Sequence, residues 1–119
     1  MEHHPNELFI YYDGNSRVAK QTRAYARAVS NHVNEMDYKK VRLTPTLWEE
    51  MLSLLKLRPK DLLNKAHPRY QEKVARRSFD PEGWLNILLQ NPDLIKAPIA
   101  IKNRKAILCI KPTDILKIA

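Results

Sequence analysis

Glycine and cysteine are scarce in this 119-residue chain, which has 2 glycines and 1 cysteine. So few glycines argue against a glycine-rich loop whose backbone closes on a phosphate. A lone cysteine excludes an internal disulfide framework. Long apolar runs are also missing. None approaches the roughly 20 residues of a membrane span, and no signal-peptide core sits at the N-terminus. The expectation is a cytoplasmic protein without membrane contact.

The remaining composition suits one globular domain over residues 1–119, since 44% of residues are hydrophobic. The net charge of +8 favours acidic partners, although the cations are spread along the chain as on a solvated surface. No nucleic-acid motif accompanies the charge, and the aromatics form no evident stacking platform. His3-His4 at the terminus is too little for a metal site, so no metal and no cofactor are expected.

The apolar run 7–12 predicts a buried strand. The turn Asp13-Gly14-Asn15-Ser16 follows, and the spacing predicts a helix over 16–33. Val18, Ala19, Thr22, Tyr25, Ala26, Val29 and Val33 share one side of it, and Arg17, Lys20, Arg23 and Arg27 another. Ser16 is a good N-cap residue. Residues 36–43 read as a second, irregular strand. Thr46 and Glu49 read as a capping box opening a helix over 47–56. Pro59 opens a short helix that His67-Pro68 breaks, and 69–79 is polar and basic. Asp80-Pro81-Glu82 starts another helix, which Asn91-Pro92 stops. The apolar runs 98–101 and 106–110 suggest a hairpin whose turn lacks glycine. Pro112-Thr113-Asp114 begins a last short helix. This order predicts an α/β fold with a mixed sheet of about four strands and a parallel first β-α-β unit.

A strand feeding a helix N-terminus is a common seat for a nucleophile or an anion, because unpaired N–H groups and the positive end of the helix dipole meet there. A cysteine in that place would be acidified. Ser16 stands there instead. A serine nucleophile needs a base against it, and His3, His4 and His32 have no evident placement beside it. Anion binding by Asn15, Ser16 and Arg17 remains a candidate. Cys109, in an apolar run, reads as a core residue.

The segment 91–101, Asn-Pro-Asp-Leu-Ile-Lys-Ala-Pro-Ile-Ala-Ile, resembles the ArsC/Spx family, the arsenate reductase-like branch of the thioredoxin fold. Ile10-Tyr11, Thr46 to Glu49, Asp61-Leu62-Leu63-Asn64 and Pro112-Thr113-Asp114-Ile115-Leu116 support it in order and spacing. The resemblance covers nearly the whole chain. It implies a thioredoxin-like sheet with an ArsC-type helical insertion, and a cis peptide at Ala97-Pro98 beside the active-site turn. It also exposes departures. The family's nucleophilic cysteine falls at Ser16. Its arginines fall at Asn64, Ala97 and Lys111, and lysine does not replace a bidentate guanidinium on an oxyanion. Lys111 joins Asn15, Ser16 and Arg17 as an anion-binding candidate.

These departures lead to a non-catalytic binding or regulatory module with Ser16, Asn64, Ala97 and Lys111 as a degenerate site. The Spx branch contacts RNA polymerase, so the resemblance implies an acidic protein surface, such as a transcription component, as partner for Arg17, Lys20, Arg23 and Arg27. The alternative is a divergent arsenate reductase-like oxidoreductase or an anion-handling enzyme acting on a small oxyanion.

Overall fold

A computed structural model describes residues 6–75 and 77–118. Four strands form one mixed sheet in the order β2-β1-β3-β4. Strand β1 (Leu8–Tyr12) is buried at every residue, as a central strand with both faces covered must be. It pairs parallel to β2 (Val33–Asp37) and antiparallel to β3 (Ile99–Lys102), and β3 pairs antiparallel to β4 (Lys105–Leu108).

The pleat of β1 divides the core into two layers. Phe9 and Tyr11 point to a larger layer with Trp48, Met51, Leu88, Leu94, Ile99 and Ile101. This side is closed by α2 (Pro45–Leu55), α3 (Pro68–Lys73) and α4 (Pro81–Gln90). Leu8, Ile10 and Tyr12 point to a smaller layer with Ala19, Ala26, Ala100, Cys109 and Ile115. That side is closed by α1 (Arg17–Val29) and a 3-10 segment over Pro112–Lys117. The small alanines of α1 let the helix lie close to the sheet.

Several boundaries differ from those the sequence suggests. Helix α1 ends at Val29, with Ser30 already extended. Val33 therefore opens β2 instead of closing the helix, and His32 accepts the Leu8 N–H at 2.9 Å to begin the pairing. β2 ends at Asp37, so 38–43 forms its exit. Thr44, not Thr46, caps α2: its Oγ1 accepts from the Leu47 N–H at 3.1 Å. Pro45 explains the shift, because a fixed φ and a missing N–H suit the first helical position. His67-Pro68 breaks one segment and also starts another. His67 Nδ1 accepts from the Arg69 N–H at 3.1 Å and caps α3. The basic stretch thus contains a helix, held by the buried ring of Tyr70. Asp80 caps α4 through the Gly83 N–H at 2.6 Å, and Asn91 ends it. The β3–β4 turn manages without glycine because Asn103 and Arg104 both adopt positive φ, 50° and 62°.

The described residues contain no cis peptide bond. The bond before Pro98 is therefore trans, contrary to the expectation. Trans is the lower-energy isomer even before proline. Pro98 also meets the sheet in that form, its carbonyl accepting the Cys109 N–H at 2.8 Å. No helix among the described residues is long and apolar enough to cross a membrane.

Candidate functional site

The turn after β1 is built by its own side chains. Asp13 Oδ1 accepts the Asn15 N–H at 3.0 Å, and Asp13 O accepts the Ser16 N–H at 2.9 Å. This Asx turn delivers Ser16 to the N-cap of α1, where its Oγ accepts the Ala19 N–H at 3.2 Å. Beside it, Tyr12 O takes the Tyr38 N–H at 2.9 Å, which fixes the exit of β2 against the exit of β1.

The far wall comes from two distant segments that pair with each other. Leu63 and Ile95 form an isolated antiparallel bridge. It is flanked by Asn64 N–H to Leu94 O at 2.7 Å and Lys96 N–H to Leu62 O at 2.8 Å. Asn64 is thereby carried next to Lys96 and Ala97. The enclosed cavity, about 170 Å³, is lined by Asp13, Ser16, Tyr38, Asn64, Asp93, Ile95, Lys96, Ala97 and Pro98.

Four of the residues singled out from sequence, Ser16, Asn64, Ala97 and Pro98, therefore meet at one cavity. Three anion-binding candidates, Asn15, Arg17 and Lys111, do not line it. Asn15 spends its N–H on Asp13, Arg17 is exposed on the first turn of α1, and Lys111 is exposed where the last 3-10 segment begins, its N–H on Asp114 at 2.9 Å. Among the described residues no arginine lines the cavity. Two carboxylates, Asp13 and Asp93, do, and Arg69 holds Asp93 by an ion pair and Asn91 by a 2.7 Å hydrogen bond.

Sequence reasoning missed Tyr38 as a wall of the site, because it placed that residue inside a strand over 36–43. The apolar ring stacks on Trp48 with centroids 5.9 Å apart. Its hydroxyl is buried and has no hydrogen-bond partner among the described residues. Burial, with smaller contributions from Tyr11 and Asp13, raises this phenol above its ordinary range.

Cys109 lies away from the cavity, fully buried in the α1-side layer. Burial, aided by Asp114, pushes its thiol up to about 12. A thiol held protonated is neither a nucleophile nor a metal ligand. Among the described residues no group of His, Cys, Asp or Glu is arranged to hold a metal. His3 and His4 lie outside the described residues.

The basic face of α1 is divided. Glu35 of β2 takes Arg23 Nε at 2.5 Å and Arg27 Nη2 at 2.7 Å. Arg23 also lies over the Tyr12 ring, 4.4 Å from its centroid. Arg17 and Lys20 are exposed and form no ion pair among the described residues.

Comparison with known proteins places this frame. An arsenate reductase from Vibrio cholerae superposes with a TM-score of 0.85 at 16% identity, covering 98% of this chain and 100% of that one. An arsenate reductase (ArsC) related protein from Brucella melitensis superposes with a TM-score of 0.70 at 22% identity, covering 91% and 90%. Identity this low establishes the shared fold. No curated protein sequence matches the chain. The ArsC family model matches residues 11–118, nearly the whole length, and the chain belongs to the ArsC family.

Proposed function

We propose that this protein is a non-catalytic member of its family, a binding or regulatory module on a reductase frame. The observation that carries the reading is the cap of α1. Ser16 occupies the helix entrance and uses an Oγ lone pair on Ala19. The one thiol of the chain is buried elsewhere with its pKa raised. Reduction of arsenate by a thiol needs an accessible sulfur at the anion, and none stands there. The wall also offers an anion little positive charge: Lys96 stands against Asp13, and the Arg69 guanidinium is taken up by Asp93. The partner this reading favours is an acidic protein surface, such as a transcription component, met by Arg17 and Lys20.

The second reading, a divergent arsenate reductase-like enzyme, is supported by family membership and by the fold shared with the Vibrio cholerae protein. An arsenate reduction assay with reduced glutathione or thioredoxin as electron donor separates the two. The module reading expects no turnover above the protein-free rate. Turnover that disappears in Cys109→Ser would overturn it.

A further inference from the structure

Helix α4 is less covered than its sequence requires. Trp84, Leu85, Ile87, Leu88 and Leu89 spread large apolar groups over about half of its circumference. A helix with so broad an apolar arc is normally covered by its surroundings. Here Leu88 is fully buried, and the other four remain partly exposed. Leu85 opens onto a groove of about 600 Å³ between α2 and α4, where Leu52 and Leu57 add to the apolar lining. Pro45 and Pro81, the first residues of the two helices, line it as well, and their fixed φ makes its two sides rigid. The groove shares no lining residue with the Ser16 cavity. It lies across the sheet from α1.

The charges around this groove run against those of the chain. Lysine and arginine outnumber aspartate and glutamate by 21 to 13. Yet among the described residues the charged groups lining the groove are Glu49, Glu82 and Arg58, and Arg58 faces Asp61 at 3.5 Å. Past Glu49 the surface runs into a shallower depression with Glu50 and the exposed side chain of Leu54. Carboxylates elsewhere are occupied. Glu35, Asp93 and Asp114 hold ion pairs, and Asp13, Asp37 and Asp80 accept backbone N–H groups. Glu49, Glu50 and Glu82 do neither among the described residues. Glu82 is favoured by the positive end of α4, but Glu49 and Glu50 lie beyond the first turn of α2 and have no such role.

We propose that the α2–α4 groove docks a basic amphipathic peptide segment of a partner protein, in which a large apolar side chain is flanked by lysines or arginines. The apolar side chain fills the space between Leu52, Leu57 and Leu85. The flanking cations meet Glu49 and Glu82, and further along the surface Glu50. Burial of the apolar group supplies the affinity, and the carboxylates set orientation and reject acidic segments. The same carboxylates repel anionic lipid and nucleic acid. This surface is separate from the one given to an acidic partner at Arg17 and Lys20, and it does not depend on the chemistry of the Ser16 cavity.

The test is an amide-resolved NMR titration of the full chain with the capped peptide Lys-Lys-Leu-Phe-Lys-Lys. Saturable shifts of the Glu49, Leu57 and Leu85 amides are expected, weakening as salt is raised past about 0.1 M. A peptide with glutamates in place of the lysines should not bind, and one with Gly-Ser in place of Leu-Phe should not saturate. The double variant Glu49→Gln, Glu82→Gln, at exposed positions, should weaken binding about fivefold, the effect of two solvated charge contacts. Glu72→Gln, on α3 and outside the groove, should leave binding unchanged. Absence of saturable shifts with the basic peptide, equal binding of the acidic or the Gly-Ser peptide, or full affinity in the double variant overturns the inference. Concentration-dependent shifts of the same amides without peptide would make a second copy of the chain the occupant, and would overturn it too.

Discussion

Ser16 Oγ accepts the amide hydrogen of Ala19 at 3.2 Å, so the residue at the entrance of α1 serves the helix itself. Removing that acceptor strands an N–H at the helix start. Ser16→Ala should lower the unfolding free energy by about 1 kcal/mol, measured by urea titration. Ser16→Cys tests the chemistry. It puts a thiol at a helix N-terminus, yet among the described residues the cavity wall has no arginine and keeps Asp13 and Asp93. Ser16→Cys should therefore react with a disulfide reagent while giving no arsenate turnover. Turnover would show that a sulfur at this position alone decides whether the cavity reduces arsenate.

The Glu35 ion pairs make stability depend on pH. Burial pushes the Glu35 carboxyl up, but hydrogen bonds from Arg27 and Arg23, with their charges, outweigh it and hold the carboxyl below its usual range. Asp61 is also held low, first by the Arg58 N–H at 3.0 Å. Carboxyls with depressed folded values add stability that is complete above their unfolded values, about 4.3 for Glu and 3.9 for Asp. It is lost as the pH falls through the folded values. The Tm should hold from pH 7 to about 5 and fall below about 4. Glu35→Gln should cost about 1 kcal/mol at pH 7 and flatten the acid limb, since these partners are partly solvated. Calorimetric scans of both proteins across this range decide the matter, and parallel acid limbs would remove Glu35 as the cause.

Much of this architecture was readable because local signals agreed. Asp80-Pro81-Glu82 and Asn91-Pro92 marked both ends of α4 through capping and proline chemistry. The even burial of β1 followed from an uninterrupted apolar run. The candidate cavity was half readable. Ser16, Asn64, Ala97 and Pro98 were found through their place in a family pattern and do converge. Tyr38 and Asp93 were not found, because their roles arise from the β2 exit and the Leu63–Ile95 bridge, long-range pairings that no local pattern encodes. The second-strand boundary failed for a related reason. Val33 continues the helical apolar spacing, but pairing with Leu8 takes it into the sheet.

Cys109 should behave as a core residue. It has no exposed surface and its thiol is pushed up to about 12, first by burial. Labelling with a disulfide reagent at pH 8 should follow opening of the fold, and should reach the free-thiol rate only in denaturant. Rapid labelling of the native protein would place the thiol within reach of solvent and reopen the redox reading.

Gly14 is required by what surrounds it and not by its dihedral angles, since no glycine in the described residues has positive φ. A Cβ at this position would lie 2.4 Å from Asp37 Oδ2 and 3.1 Å from its Cγ. The Asp37 carboxyl must then move, and its other oxygen accepts the Lys39 N–H at 3.0 Å. Gly14→Ala should cost about 1 kcal/mol, the worth of that turn contact, in spite of the lower chain entropy of alanine. A gain in Tm would mean that the carboxyl swings aside freely.

The β3–β4 turn offers a gain in stability. Lys102 pairs with Lys105 across a two-residue loop, and Asn103 and Arg104 both hold positive φ. This is the backbone of a type I′ hairpin turn, for which Asn-Gly is the favoured pair. Asn103 tolerates the left-handed region through its short polar side chain, whereas a long side chain at position 104 carries the Cβ penalty there. Arg104→Gly removes that penalty and an exposed cation near Lys102 and Lys105, but gives the unfolded chain more freedom. The hairpin term should exceed the entropy term, so the Tm should rise, with a net gain of about 0.5 kcal/mol. Arg104→Ala keeps the Cβ while removing the charge, and should recover little of the gain. Equal stabilisation by both variants would assign the effect to charge repulsion among the cations instead of to the backbone.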